Sequence, residues 1–151
     1  MVSAQSGDAG TNFSLSQARA LSAYALQNDR PDLALQLGKG LLKADARDPF
    51  AYFVIAQSYA ALGQNTQGRR AAARAYRFAE ARPDRMRAAQ LAAQLAFAEN
   101  RPSLTQVWLR RTAIHVDNPE DEAQLARDYR ALRRINPWSL SCAQIFARPA
   151  T

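Results

Sequence analysis

What this chain has little of narrows the reading before any motif does. Cysteine occurs once, at Cys142, so no disulfide can form within the chain and the redox compartment stays open. Histidine also occurs once, at His115, and its distance in sequence from Cys142 matches no metal-site spacing. No glycine-rich phosphate loop is present, and the acidic residues stand singly at caps and turns rather than in pairs. Catalysis by an activated nucleophile or by a carboxylate pair therefore has no residues to carry it, and no cofactor or metal is expected. No apolar run approaches the ~20 residues that a membrane-spanning helix needs. Glycine is scarce, with 6 in 151 residues, while alanine supplies much of the 48% apolar fraction. That balance favours close-packed helices over strands.

Charge is present in quantity, and its excess is of one kind. The formal net charge is +7, and Lys39 and Lys43 are the only lysines, so the excess is almost entirely arginine. A basic excess permits nucleic acid or an anionic membrane as partner without demanding either.

The stretch Pro49–Gly63, PFAYFVIAQSYAALG, organises the rest. Asp48 suits its N-cap, Pro49 its first position, and Gly63 the left-handed residue after its end. Tyr52, Ile55, Ala56 and Tyr59 share one side, and Phe50, Phe53 and Ala60 another, so this helix needs neighbours on more than one side. Similar signals predict helices at about 15–28, 31–44, 49–62, 66–81, 84–99, 103–116 and 119–135. Ser14 to Gln17 has capping-box spacing, and Asn118-Pro119-Glu120-Asp121 joins a cap, a proline and acids at a helix start. His115 closes the sixth helix, where a histidine suits the negative end without any catalytic role. Residues 1–13 read as a flexible N-terminus and 136–151 as an extended or disordered tail.

The helices repeat. Leu21, Ala25, Asp29 and Ala34 recur 34 residues on as Ile55, Tyr59, Gly63 and Gly68, and the turn NDRPDL at 28–33 recurs as ENRPSL at 99–104. Residues 15–117 thereby resemble tetratricopeptide repeats, whose period is that of this chain. The resemblance implies an all-α, right-handed helical solenoid of about three helix–turn–helix repeats, at about 15–48, 49–85 and 86–118. A C-terminal capping helix, 119–135, would close the last apolar face. It also implies close helix crossings at Ser22 with Ala34, Ala56 with Gly68, and Ala93 with Thr105. The two turns lie two periods plus three residues apart, and that surplus is expected in a long fourth helix before Pro83.

Members of this family usually hold a peptide or a helix of a partner protein in a concave groove lined by the first helix of each repeat. Carried onto this chain, the groove holds Arg19, Ala23, Leu26, Gln27, Phe50, Phe53, Gln57, Arg87, Gln90, Gln94 and Phe97. Aromatics supply contact area, amides can serve a peptide backbone, and Arg19 and Arg87 would favour an acidic segment. The bland alternative makes Phe50, Phe53 and Phe97 core residues shared between helices. A chaperone-tail clamp is not expected, because Ala23, Val54 and Leu91 stand at three of the clamp positions.

Arg70, Arg74 and Arg77 share one face of the fourth helix and read as a solvated stripe, with nucleic acid or anionic lipid as the alternative. In the tail, Asn136-Pro137-Trp138-Ser139-Leu140-Ser141 alternates like a strand. It resembles the junction into the outer-membrane barrel of bacterial proteins that assemble surface lipoproteins, which carry a periplasmic tetratricopeptide domain. On that resemblance, membrane association would come only through a missing C-terminal barrel, and the module would serve an outer-membrane assembly or secretion system. The alternative is a small three-repeat secretion chaperone. The start MVSAQSGDAG has no basic beginning or apolar centre and resembles what remains after a signal peptide is removed. Localisation is then periplasmic, and otherwise cytoplasmic; the oligomeric state is not legible.

Overall fold

The computed structural model describes residues 14–135, all helices and short connections. The expectations for 1–13 and for the strand-like segment at 136–141 lie outside the described residues. Seven helices follow in order: α1 (Leu15–Gln27), α2 (Pro31–Ala44), α3 (Pro49–Ala61), α4 (Asn65–Phe78), α5 (Arg82–Ala98), α6 (Pro102–His115) and α7 (Pro119–Ile135). The fold is all-α and repeat-like, each helix packing on the next.

Local chemistry sets the starts. Ser14 and Gln17 form a reciprocal capping box at α1. Asp48 Oδ1 accepts from the Phe50 amide at 3.0 Å, and Asn118 Oδ1 from the Asp121 amide at 2.8 Å. The hairpins α1–α2, α3–α4 and α5–α6 turn on one device. Asp29, Gly63 and Asn100 adopt positive φ of 54°, 72° and 55°. In each case the next amide reaches back across the helix end, Arg30 to Ala25 O, Gln64 to Tyr59 O and Arg101 to Ala96 O, at 2.8, 2.8 and 3.0 Å. This is the Schellman pattern, which satisfies carbonyls that a helix end leaves unpaired.

One boundary departs from the sequence reading. The fourth helix ends at Phe78 rather than near 81, and the extra length falls in α5, which has 17 residues against 13 in α1 and α3. Ala79 is extended and buried, and its carbonyl accepts from Arg85 Nε at 2.7 Å. A buried side chain and a satisfied carbonyl end the helix where propensity alone would have extended it.

Packing is built on small residues. Ser22, Ala34, Ala56, Gly68, Ala93 and Thr105 are all buried. Helix α5 adds buried Ala88, Ala89, Ala92 and Ala96, which let its neighbours approach. Bulk comes from Trp108, Leu109, Leu125, Tyr129 and Leu132, in one core that runs from α3 to α7. Each large side chain fully buried there contributes about 1.5–3 kcal/mol. The buried hydroxyls of Ser22, Ser58 and Thr112 donate to carbonyls of their own helices and that of Thr105 to the carbonyl of its helix's N-cap, Arg101, so none of the four is left unpaired.

Helix α3 shows how the layers form. It packs against α1 and α5 as well as against α2 and α4. Lys39 of α2 lies over the Tyr59 ring and Arg74 of α4 over the Tyr52 ring, so α2 and α4 meet the Tyr52–Tyr59 side of α3. Phe50, Phe53 and Gln57 lie on the other side of α3, where they line hollows with residues of α1 and with residues at the end of α4 and in α5.

Candidate functional site

Three open hollows lie along the side formed by α1, α3, α5 and α7. The first is lined by Ala23, Leu26 and Gln27 of α1 and by Phe50, Phe53, Val54 and Gln57 of α3. The second takes Phe50 and Phe53 again, with Pro49, Ala75, Ala79, Asp84, Arg87 and Ala88. Phe50 and Phe53 are therefore a shared wall, half-buried, with an apolar hollow on each side. The third lies between α5, α6 and α7 and is lined by Ala93, Gln94, Phe97, Thr105, Leu109, Asp128 and Ala131. Their volumes are about 370, 200 and 160 Å³. Only the first reaches the size usual for small-molecule pockets, roughly 300–1,000 Å³. The set suits successive side chains of a polymer better than one enclosed ligand.

Of the residues expected in the groove, Ala23, Leu26, Gln27, Phe50, Phe53 and Gln57 come together in one hollow. Arg87 joins the two phenylalanines in the second, and Gln94 and Phe97 line the third. Phe97 is 42% exposed, so it is not a core residue. Phe50 does pack partly on the small core of Ala25, Ala34 and Val54. Gln90 is half-buried on α5 and lines none of these hollows.

The arginines behave differently from one another. Arg19 Nη2 pairs with Asp48 Oδ2 at 2.8 Å and its guanidinium lies over the Phe50 ring, so it fastens α1 to the start of α3. Arg87 is exposed, in a hollow that also contains Asp84. The third hollow holds Asp128, whose carboxyl is raised above its ordinary range by burial, against the Gln124 hydrogen bond and the Arg127 charge. Charge along the hollows is thus mixed, and apolar shape is what they offer in common.

Asp84, Ala75, Ala79, Asp128 and Ala131 were missed by a reading confined to groove positions of first helices. The signal for the last two was available: residues 128 and 131 flank the buried Tyr129 and Leu132 at helical spacing, on the side of α7 nearest α5.

His115 sits at the end of α6, buried, its Nε2 3.1 Å from the Tyr76 hydroxyl. Burial first, and then the charges of Arg85 and Arg82, hold its pKa below the ordinary value, with Asp117 opposing. Its place is accordingly that of a neutral hydrogen-bonding group, and compensation of the helix end by a charged imidazole is disfavoured. Among the described residues, no group of three or more His, Cys, Asp or Glu is placed to hold a metal ion, and no helix is long and apolar enough to cross a membrane. Comparison of the chain with protein-family models, with curated proteins and with solved structures gives no match.

Proposed function

We propose that this chain is a non-catalytic protein-binding module, a right-handed solenoid of the tetratricopeptide type in which about three repeats and a capping helix hold a peptide or helix of a partner along the α1–α3–α5 side. The observation that carries this reading is the Phe50–Phe53 wall with an apolar hollow on either side. A partner segment crossing it would bury one apolar side chain in each hollow. Gln27, Gln57 and Gln94 stand at the hollows with amides able to meet the segment's backbone groups, which would otherwise lose hydrogen bonds on leaving water. Preformed helices keep the ordering cost low on this side, so a single segment is expected to bind at about micromolar Kd.

The test is selection of binding peptides from a displayed random library on the purified chain, followed by affinity measurement. Selected peptides are expected to carry spaced apolar residues. The double change Phe53→Ala with Gln57→Ala should weaken them at least about tenfold, roughly 1.4 kcal/mol, and Arg70→Gln should not. Peptides lost with Arg70→Gln and kept by the groove variant would move the binding face to the other side.

A further inference from the structure

We propose that the outward side of α4 and α6 is a docking surface for an anionic phospholipid bilayer. These two helices contain Arg69, Arg70, Arg74, Arg77, Arg110 and Arg111 and no acidic residue. Arg69 is taken up by Glu99 at 3.0 Å. The other five are exposed, and among the described residues none of them has a carboxylate at ion-pair distance.

The two helices touch through Tyr76 and Trp108, whose rings stand edge to face at 5.7 Å, with Arg70 and Arg77 exposed on α4 and Arg110 exposed on α6. Arg111 lies over both of these rings and Arg74 over Tyr52. Two cations are thereby held in place at little further entropic cost.

The second feature is apolar. Val107 is 41% and Ile114 65% exposed, one turn to either side of Arg110 on the same strip of α6. Val107 and Ile114 thus add two exposed aliphatic side chains to a helix whose arginines are exposed as well. At a bilayer the combination fits: aliphatic side chains enter the acyl boundary while guanidinium groups meet lipid phosphates. Single-stranded nucleic acid would instead need open aromatic faces for stacking, and the rings of Tyr76 and Trp108 lie beneath Arg111. The surface is separate from the Phe50–Phe53 hollows, so both could be occupied together.

Flotation of the full chain with phosphatidylcholine vesicles, with and without phosphatidylglycerol, tests this. Binding is expected only where phosphatidylglycerol is present, and it should weaken as salt rises. The change Arg70→Gln/Arg77→Gln/Arg110→Gln should reduce it by about tenfold or more, while lysine at the same three positions retains it. Val107→Ser/Ile114→Ser should also reduce it, and the groove variant Phe53→Ala/Gln57→Ala should leave it unchanged. No binding to phosphatidylglycerol vesicles at low salt overturns the proposal, as does binding indifferent to Val107 and Ile114. Tighter binding of a single-stranded RNA oligonucleotide, lost with the glutamines and kept by the serine variant, would overturn it in favour of nucleic acid.

Discussion

Gly68 of α4 lies so close to Ala56 of α3 that a Cβ added to it would stand 3.0 Å from the Ala56 carbonyl oxygen. The same atom would meet Leu95 Cδ1 at 3.1 Å and the Ala60 nitrogen at 3.4 Å. Leu95 can turn its methyl away; the α3 backbone cannot yield without moving the helix. This crossing therefore sets how closely the central hairpin closes, and through Leu95 how α5 joins it.

Alanine and leucine at position 68 should destabilise the protein in that order, even though glycine within a helix is worse than alanine by about 1 kcal/mol on intrinsic grounds. Overpacking at such a contact costs about 1–3 kcal/mol. Gly40 of α2 is the control, since a Cβ there meets nothing within 4 Å. Gly40→Ala should raise stability by up to about 1 kcal/mol. Urea denaturation of the three variants checks the set; a stabilised Gly68→Ala would mean that α3 and α4 are further apart than described.

Arg69 and Glu99 form the least exposed ion pair between successive hairpins, with side chains 13% and 10% exposed. Arg101 is only 3.9 Å from the same Glu99 oxygen, and the other oxygen, Oε1, is buried without a hydrogen-bond partner. Arg69→Met should cost up to about 3 kcal/mol, because it leaves a largely buried carboxylate with only the longer contact to the exposed Arg101. Arg69→Met with Glu99→Leu should recover most of that loss, since the desolvation penalty leaves with the charge. A double-mutant cycle in urea measures the coupling; additive losses would show that the pair is solvated.

His115 makes stability depend on pH in a defined direction. Its pKa in the fold is held below the ordinary histidine value of 6.5, so the unfolded chain takes up the proton first. Its contribution is full above about pH 6.5 and is lost as pH falls below it. Asp128 works in the opposite sense and lower down: its raised pKa makes its contribution full below 3.8 and lost as pH rises through the folded value. His115→Gln retains a hydrogen-bonding group beside the Tyr76 hydroxyl without titrating and should flatten the fall in melting temperature just below pH 6.5. An unaltered slope in that variant would place the titration elsewhere.

Helix order, the caps at Ser14, Asp48 and Asn118, the left-handed residue Gly63 and the turns after α1 and α5 were legible because each depends on residues within a few positions; that Asp29 and Asn100 take the left-handed conformation in those turns was not expected. The burial of the small residues Ser22, Ala34, Ala56, Gly68, Ala93 and Thr105 was legible too, since a repeated sequence places small side chains at repeated positions, and Ala56 and Gly68 do meet. That Phe50, Phe53 and Gln57 face one way and Tyr52 and Tyr59 another follows from helical spacing alone. The end of α4 did not follow, because Phe78 is the last helical residue only once Ala79 is buried and Arg85 reaches its carbonyl. Nor did the fate of Arg19, which looks free in sequence and is bound to Asp48, 29 residues away. The outward arginines had the same appearance as Arg19 and Arg69. Only the packed chain separates them, since a charge is committed or left available by what stands within about 4 Å of it, and that neighbour is a distant residue brought in by the fold.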